Sequence, residues 1–139
     1  MSRSAAREKA FSLIFEYLFL SEQNDFTMEN LSDSNELTDA DRDYIRKVYT
    51  GVIENYDKLV GVISLCAAGF SIDRIFRVDL SLLLLAAYEI YFIPDIPRSV
   101  SCNEVVNLAK VFSTDKSPAY INGVLAGIIK KLDDSGTTA

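Results

Sequence analysis

The chain has 139 residues, of which 49% are hydrophobic and 24% charged, and its formal net charge is −6. A chain of this length forms one domain with its own core, and no apolar run reaches the roughly 18 residues that a membrane-spanning helix needs. There is no histidine, and the two cysteines, Cys66 and Cys102, are far apart. None of the common catalytic or metal-ligand motifs is present. We therefore predict a cytoplasmic protein without membrane contact that is not an enzyme and uses no cofactor or metal.

The negative charge is concentrated in one segment. Residues 22–43 contain eight acidic residues and one basic residue, which leaves 13 basic and 12 acidic residues elsewhere. The net charge therefore does not exclude nucleic acid as a ligand, because the rest of the chain can still present a local basic patch.

The spacing of apolar side chains predicts helices throughout the chain. Apolar residues recur at three- and four-residue steps, and no segment alternates as a strand would. The predicted helices cover residues 4–20, 39–66, 80–93, 101–112 and 117 to about 131, with a short piece at 71–76. A loop with one helical turn near residues 26–31 joins the first two. We predict an all-α fold.

Cap-forming residues mark where these helices begin. A serine or threonine followed three residues later by an acidic residue has the spacing of a capping box, and a single Asp or Ser is also a favourable N-cap. The predicted caps are Thr38 with Asp41, Asp79, Ser101 with Glu104, and Ser117 followed by Pro118.

The helix at residues 80–93 is apolar on nearly every side, which predicts the central helix of a bundle. Its one charged residue is Glu89, which lies among the aromatic residues Tyr88, Tyr91 and Phe92. An unpaired buried carboxylate is costly, so Glu89 requires a partner. That partner is either a basic residue of the same chain or a residue of a bound molecule.

Two arginines stand at the beginning of the first helix. Arg3 and Arg7 are four residues apart and project in the same direction, whereas Lys9 points elsewhere. Their planar guanidinium groups suit phosphate, but surface arginines more often pair with acidic residues or remain in solvent. Residue types alone leave both interpretations open.

Six segments, taken together, resemble the NusB family of transcription antitermination factors. They are AAREKAF, YIRKVYTGV, VDLSLLLLAAYEI, PDIP, CNEVVNLAKVF and YINGVLAGI. The resemblance covers residues 3–132. It implies two antiparallel three-helix bundles in a single domain at residues 1–132, and we expect residues 133–139 to form a disordered tail.

The resemblance also implies a function. A NusB protein binds the boxA element of ribosomal RNA leader RNA together with NusE, a small-subunit ribosomal protein, and helps assemble the antitermination complex on RNA polymerase. In this resemblance Arg3 and Arg7 match the family's RNA-binding segment, and Phe15, Tyr88 and Glu89 match positions around its RNA and NusE surface. We expect Lys9, Arg98 and Lys116 to add RNA contacts, and Leu80, Leu84 and Tyr91 to add contacts with the partner.

Two other functions are compatible with the same resemblance. NusB-like domains also precede ribosomal RNA methyltransferases, so the chain could be a stand-alone RNA-binding relative of such an accessory domain. It could also be a structural homodimer. Leu80 and Leu84 stand where the family often has basic residues, and an exposed apolar patch at these positions would favour self-association.

Overall fold

The computed structural model of the protein describes residues 2–20, 37–67, 69 and 71–135, and in these ranges six α-helices and one 3₁₀ helix account for all regular structure. The helices are α1 (Ser2–Leu20), α2 (Asp39–Glu54), α3 (Tyr56–Cys66), α4 (Arg77–Phe92), α5 (Arg98–Phe112) and α6 (Ser117–Asp134), with the 3₁₀ helix (Ile72–Arg74) before α4. The all-α prediction is confirmed. No helix in the described part of the chain is long and apolar enough to span a membrane.

Helix α4 is the centre of the fold. Every residue from Asp79 to Ile90 is buried, as a helix with apolar residues on all sides predicts. Helices α1, α2, α3, α5 and α6 all pack against it, α1 also packs against α2, and α6 packs against α3 and α5. This arrangement agrees with the predicted pair of three-helix bundles.

Helix α4 runs antiparallel to α1, and α6 runs antiparallel to α5, as contacts near their ends demonstrate. Arg77 at the start of α4 donates to the carbonyl oxygen of Leu18 near the end of α1, at 2.8 Å. Arg98 at the start of α5 donates to Asp133 near the end of α6, at 2.7 Å. The two ends of α4 are therefore adjacent to different helix termini, and each end holds a different polar cluster.

The predicted helix at residues 39–66 is wrong in one respect, because the structure breaks it at Asn55 into α2 and α3. The backbone N–H of Asn55 donates to the carbonyl oxygen of Gly51 at 3.0 Å, and its side-chain amide donates to the same oxygen at 2.9 Å. Asparagine side chains compete with the backbone in this way, which disfavours helix interiors. The apolar spacing continues past Asn55, so periodicity alone does not reveal the break.

One of the predicted helix caps is confirmed. Thr38 Oγ1 accepts from the backbone N–H of Asp41 at 3.1 Å, and the Asp41 carboxylate accepts from the backbone N–H of Thr38 at 3.4 Å. The other three are wrong, because the N-cap residues of α4, α5 and α6 are Phe76, Pro97 and Lys116. The predicted cap residues Asp79, Ser101, Glu104 and Ser117 therefore lie inside helices, and their side chains bond to other helices.

The predicted loop between the first two helices and the predicted C-terminal tail lie partly outside the described residues. The expected helical turn near residues 26–31 lies outside the described residues, and so do residues 136–139. Asp133 and Asp134, which were expected in the tail, belong to the last turn of α6.

Candidate nucleic-acid interface

The beginning of α1 lies against a buried charged cluster centred on Glu89. Arg7 donates from Nε and Nη2 to the two carboxylate oxygens of Glu89, at 2.8 and 3.3 Å. The hydroxyl of Tyr44 donates to Glu89, and Ser101 Oγ donates to it at 2.7 Å. Arg7 is 4% exposed and Glu89 1%. The partner that Glu89 requires is thus an arginine of the same chain.

A second carboxylate completes this cluster. Glu104 accepts from Arg7 Nη1 at 3.3 Å and from Ser4 Oγ at 2.9 Å. Burial alone would lower the pKa of Arg7, but the hydrogen bond and charge of Glu89 outweigh burial and raise that pKa. Burial, and then the charge of Glu89, raise the pKa of Tyr44, so its hydroxyl remains a neutral donor. The cluster joins α1, α2, α4 and α5.

The position of Arg7 corrects one expectation. The family resemblance implied that Arg7 contacts RNA, but its guanidinium group is buried and bonded to two carboxylates. The error arises because a helical wheel gives a direction but not the neighbour in that direction. In this structure Arg7 offers no open face to a phosphate group.

Arg3 is differently placed. Its side chain is 44% exposed, and its Nε lies 3.5 Å from Oδ1 of Asp41. Its guanidinium carbon lies 4.5 Å from the centre of the Tyr44 ring. Stacking on an aromatic face orients a guanidinium group without covering its outer side. Arg3 is therefore held in position and can still contact an anion.

The other predicted RNA-binding residues do not form a single patch. Lys9 is exposed on α1, and Arg98 pairs with Asp133 at the start of α5. Lys116 is exposed beyond the end of α5. The 15 residues of α5 extend over about 22 Å at roughly 1.5 Å per residue. Arg98 and Lys116 therefore lie at opposite ends of the fold.

Most of the predicted partner-binding residues are core residues. Leu80 is 4% exposed and Leu84 is fully buried, so the apolar patch that would favour self-association does not exist at these positions. Tyr88 is 6% exposed, and its ring lies so close to Gly51 that a Cβ there would collide with it. Only Phe15 and Tyr91 of the predicted set are partly exposed.

An aromatic stripe on α1 and α5 was not foreseen. We define it as Phe11, Phe15 and Phe19 of α1 with Phe112 of α5. The ring centres are 5.4 Å apart for Phe11 and Phe112, 6.3 Å for Phe11 and Phe15, and 4.9 Å for Phe15 and Phe19. Phe19 is 62% exposed and Phe112 44%. The guanidinium carbon of Arg77 lies 5.5 Å from the Phe19 ring.

A sequence signal for this stripe does exist. Arg3, Arg7, Phe11, Phe15 and Phe19 follow one another at four-residue steps, which places them in one row along a helix. We did not predict this row, because the apolar periodicity of α1 indicates the fully buried side of the helix and not the partly exposed row beside it. Arg7 and Phe11 in the middle of the row are buried, and its exposed members are Arg3 at the start and Phe19 at the end.

Lys116 lies at the mouth of a cavity of about 350 Å³ at the other end of α4, which we call the Asp79 cavity. The residues that form it include Arg74, Phe76, Asp79, Lys116, Ser117 and Tyr120. Asp79 is 6% exposed and accepts hydrogen bonds from Ser113 Oγ at 2.6 Å and Ser117 Oγ at 2.9 Å. These bonds explain why Asp79 and Ser117 are not helix caps.

Comparison with known proteins decides the family. The family model described as "NusB family" matches residues 4–130. The chain belongs to the NusB family. It is 38% identical over 130 residues to the transcription antitermination protein NusB of Ruminiclostridium cellulolyticum, covering 94% of this chain and 90% of that protein. The NusB of Listeria monocytogenes serotype 4a is 39% identical over 128 residues, covering 92% of this chain and 96% of that protein.

A solved NusB structure supports the same assignment. The T. maritima NusB structure aligns with a TM-score of 0.84 and 27% identity, covering 94% of this chain and 92% of that one. Membership of the NusB family confirms the resemblance on which the functional expectations rest. It also confirms that the chain is not an enzyme, because its NusB relatives are transcription antitermination proteins.

Proposed function

We propose that this chain is a transcription antitermination factor that acts in the cytoplasm as an RNA-binding adaptor. It binds the boxA element of ribosomal RNA leader RNA together with NusE, and the complex joins the antitermination assembly on RNA polymerase. Membership of the NusB family supports this proposal. The observation that carries the RNA-binding part is the row on α1 that begins with Arg3 and continues as the aromatic stripe.

The chemistry of this row suits single-stranded RNA. Arg3 and Lys9 are exposed cations on α1 that can contact phosphates, which supply most of the affinity of non-specific binding. The exposed rings of Phe19 and Phe112 can stack with bases, because single-stranded RNA leaves its bases unstacked and accessible. The row therefore offers both contacts that RNA recognition requires.

NusE requires a different surface, and we place it at the carboxyl end of α4. Tyr91 and Phe92 are partly exposed there. The ammonium group of Lys58 lies 5.8 Å from the centre of the Tyr91 ring and 5.2 Å from that of Phe92. A half-exposed aromatic pair beside a cation is a typical anchor in protein interfaces.

The test of the proposed function is a binding titration with labelled boxA RNA, with and without NusE, at two salt concentrations. We expect NusE to strengthen RNA binding and salt to weaken it. The variant Arg3→Ala should lower the slope of log affinity against log salt by about 0.7, the value for one phosphate contact on a single strand. Arg46→Ala, which removes an exposed arginine of α2, is the matched control. Binding that NusE does not strengthen would refute the adaptor function.

A second candidate is a homodimer that buries the aromatic stripe. The exposure of Phe19 (62%) and Phe112 (44%), which the rings of Phe11 and Phe15 connect, favours it, because large exposed apolar side chains grouped together often mark an interface. Sedimentation of the free protein at several concentrations distinguishes the two candidates. A dimer that Phe112→Glu dissociates, without any effect of RNA, would support the homodimer.

A further inference from the structure

The Asp79 cavity has three features that the proposed function does not use. Its volume of about 350 Å³ lies at the lower end of the range for small-molecule sites, roughly 300–1,000 Å³. Two exposed cations, Arg74 and Lys116, stand at its edge. Two aromatic side chains, Phe76 and Tyr120, contribute to its wall, and Phe76 is 53% exposed.

The carboxylate of Asp79, which lines the cavity, can accept more hydrogen bonds than the two it receives. An ionised carboxylate can accept about four hydrogen bonds, and Asp79 accepts one each from Ser113 and Ser117. Within residues 2–20, 37–67, 69 and 71–135, no basic side chain forms an ion pair with Asp79. Buried charges are normally paired. Asp79 therefore retains acceptor capacity at the cavity wall.

The charge of Asp79 is felt inside the cavity. Burial raises the pKa of Tyr120, and the negative charge of Asp79 raises it further. A negative group within and positive groups at the mouth form a pattern that fits a ligand with N–H donors at one end and an anionic group at the other.

We propose that the Asp79 cavity is a subsite for one nucleotide of the bound RNA. The base enters the cavity, donates an N–H of its edge to the free acceptor positions of Asp79, and packs against the ring of Phe76. The phosphate on the same nucleotide remains at the mouth, where Lys116 and Arg74 contact it. This inference rests on the proposed RNA-binding function and adds to it a specific place where a base is read.

The position of the cavity connects it to the aromatic stripe. Phe112 of the stripe precedes Ser113, whose hydroxyl bonds to Asp79. Phe112 also contacts Phe11 of α1, with ring centres 5.4 Å apart. The stripe and the cavity therefore meet at two consecutive residues, Phe112 and Ser113. Stacking along the stripe tolerates any base, so the cavity supplies the hydrogen-bonded readout that stacking lacks.

The experiment measures RNA binding by variants at the cavity mouth and by matched controls. The probe is a labelled single-stranded RNA that contains boxA. The cavity variants are Phe76→Ala and Lys116→Gln, and the controls are Leu65→Ala, which removes another exposed apolar side chain, and Lys131→Gln, which removes another exposed lysine. Thermal unfolding of each variant verifies that the fold is intact.

We expect Phe76→Ala to weaken RNA binding about tenfold, the size of one lost base stack. Lys116→Gln should lower the salt slope by about 0.7, and both controls should bind like the wild type. A set of RNAs, each lacking one base, provides the second arm. One of these RNAs should bind the wild type about tenfold more weakly than the intact RNA does. The same RNA should bind Phe76→Ala no more weakly than it binds the wild type, because the missing base and the missing ring remove the same contact.

The outcomes separate the subsite from the general function. If the wild type binds RNA and the cavity variants bind like the controls, the subsite is refuted and RNA binding stands. If losses from the missing base and from Phe76→Ala simply add, the base does not occupy the cavity. If the wild type binds no RNA in the presence of NusE, the proposed function fails and the subsite fails with it.

Discussion

The two ends of α4 each bury a carboxylate, and the two carboxylates are satisfied by different chemistry. Near the carboxyl end, Glu89 is bonded to Arg7, Tyr44 and Ser101. Near the amino end, the hydroxyl groups that bond to Asp79 come from serines, and the carboxylate faces a cavity. The Glu89 end is closed and the Asp79 end is open.

This difference separates a structural role from a recognition role. A guanidinium group can only donate hydrogen bonds, whereas a hydroxyl group can donate or accept. The Glu89 cluster therefore tolerates no change of charge, because Arg7 would remain buried without an adequate acceptor. The Asp79 cluster can rearrange its hydroxyl groups around a new partner. The hydroxyl groups around Asp79 can therefore adjust to the hydrogen-bond donors of a ligand, whereas the Glu89 cluster holds four helices together.

The largest expected effect follows from removing the charge of Glu89. Glu89→Gln keeps the shape of the side chain but leaves Arg7 without its main counter-charge. Loss of one member of a buried ion pair costs about 3–5 kcal/mol, and we expect the lower end because Glu104 keeps its contact with Arg7. Urea unfolding measures the change.

A double variant verifies the cause of this loss. Arg7→Met combined with Glu89→Gln removes both charges, and it should recover most of the stability that Glu89→Gln loses. If the double variant is as unstable as the sum of the two single variants, the ion pair is not the cause.

A smaller effect, with a distinct pH dependence, is expected for Tyr44→Phe. This variant removes one hydrogen bond to a charged acceptor, and we expect a loss of about 1.5 kcal/mol near neutral pH. The ordinary pKa of tyrosine is 10.0, and the environment raises the pKa of Tyr44 above it. The hydroxyl therefore remains protonated in the folded state at a pH at which it ionises in the unfolded state.

The stability that Tyr44 contributes is therefore fully present below pH 10 and is lost as the pH rises further. Wild type should lose about 1.4 kcal/mol relative to Tyr44→Phe between pH 9 and pH 11. Thermal unfolding of the wild type and of Tyr44→Phe across this pH range measures the difference in their stability. The other tyrosines are the same in both proteins, so their ionisation does not contribute to this difference. A constant difference up to pH 11 would contradict the assignment.

The smallest effect is expected for Asp79→Asn. The amide oxygen can still accept from one serine, and the amide nitrogen can donate to the other, because serine hydroxyls rotate to either role. The main loss is a negative charge in the first turn of α4, worth about 0.3–1 kcal/mol. Urea unfolding of Asp79→Asn and Glu89→Gln under the same conditions compares their losses of unfolding free energy. An equal loss in the two variants would show that the two ends of α4 do not differ.

Much of the fold was predictable because its information is local. The apolar spacing along residues 80–93 predicted a buried central helix, and Thr38 with Asp41 predicted the start of α2. The family resemblance then predicted how these helices assemble. The break at Asn55 was not predictable from spacing, because the two helices on either side continue the same apolar pattern.

The candidate site was less predictable. Arg7 was expected to contact RNA, and Leu80 and Leu84 to contact a partner, but all three are buried, whereas the aromatic stripe was not expected at all. Residue type does not reveal exposure when a helix is enclosed on all sides. Ser101 and Glu104 illustrate the same limit. Their three-residue spacing is that of a capping box, but in the structure Ser101 bonds to Glu89 and Glu104 bonds to Arg7.

The sequence by itself determined which segments are helical, the central position of α4 and the need of Glu89 for a partner, because periodicity and the cost of a buried charge act along a single segment. Only the tertiary structure decided that this partner is Arg7, 82 residues away. It alone decided that Arg3 stays exposed and that Asp79 faces a cavity. These outcomes depend on which side chains the packed helices bring together, and no local pattern encodes that.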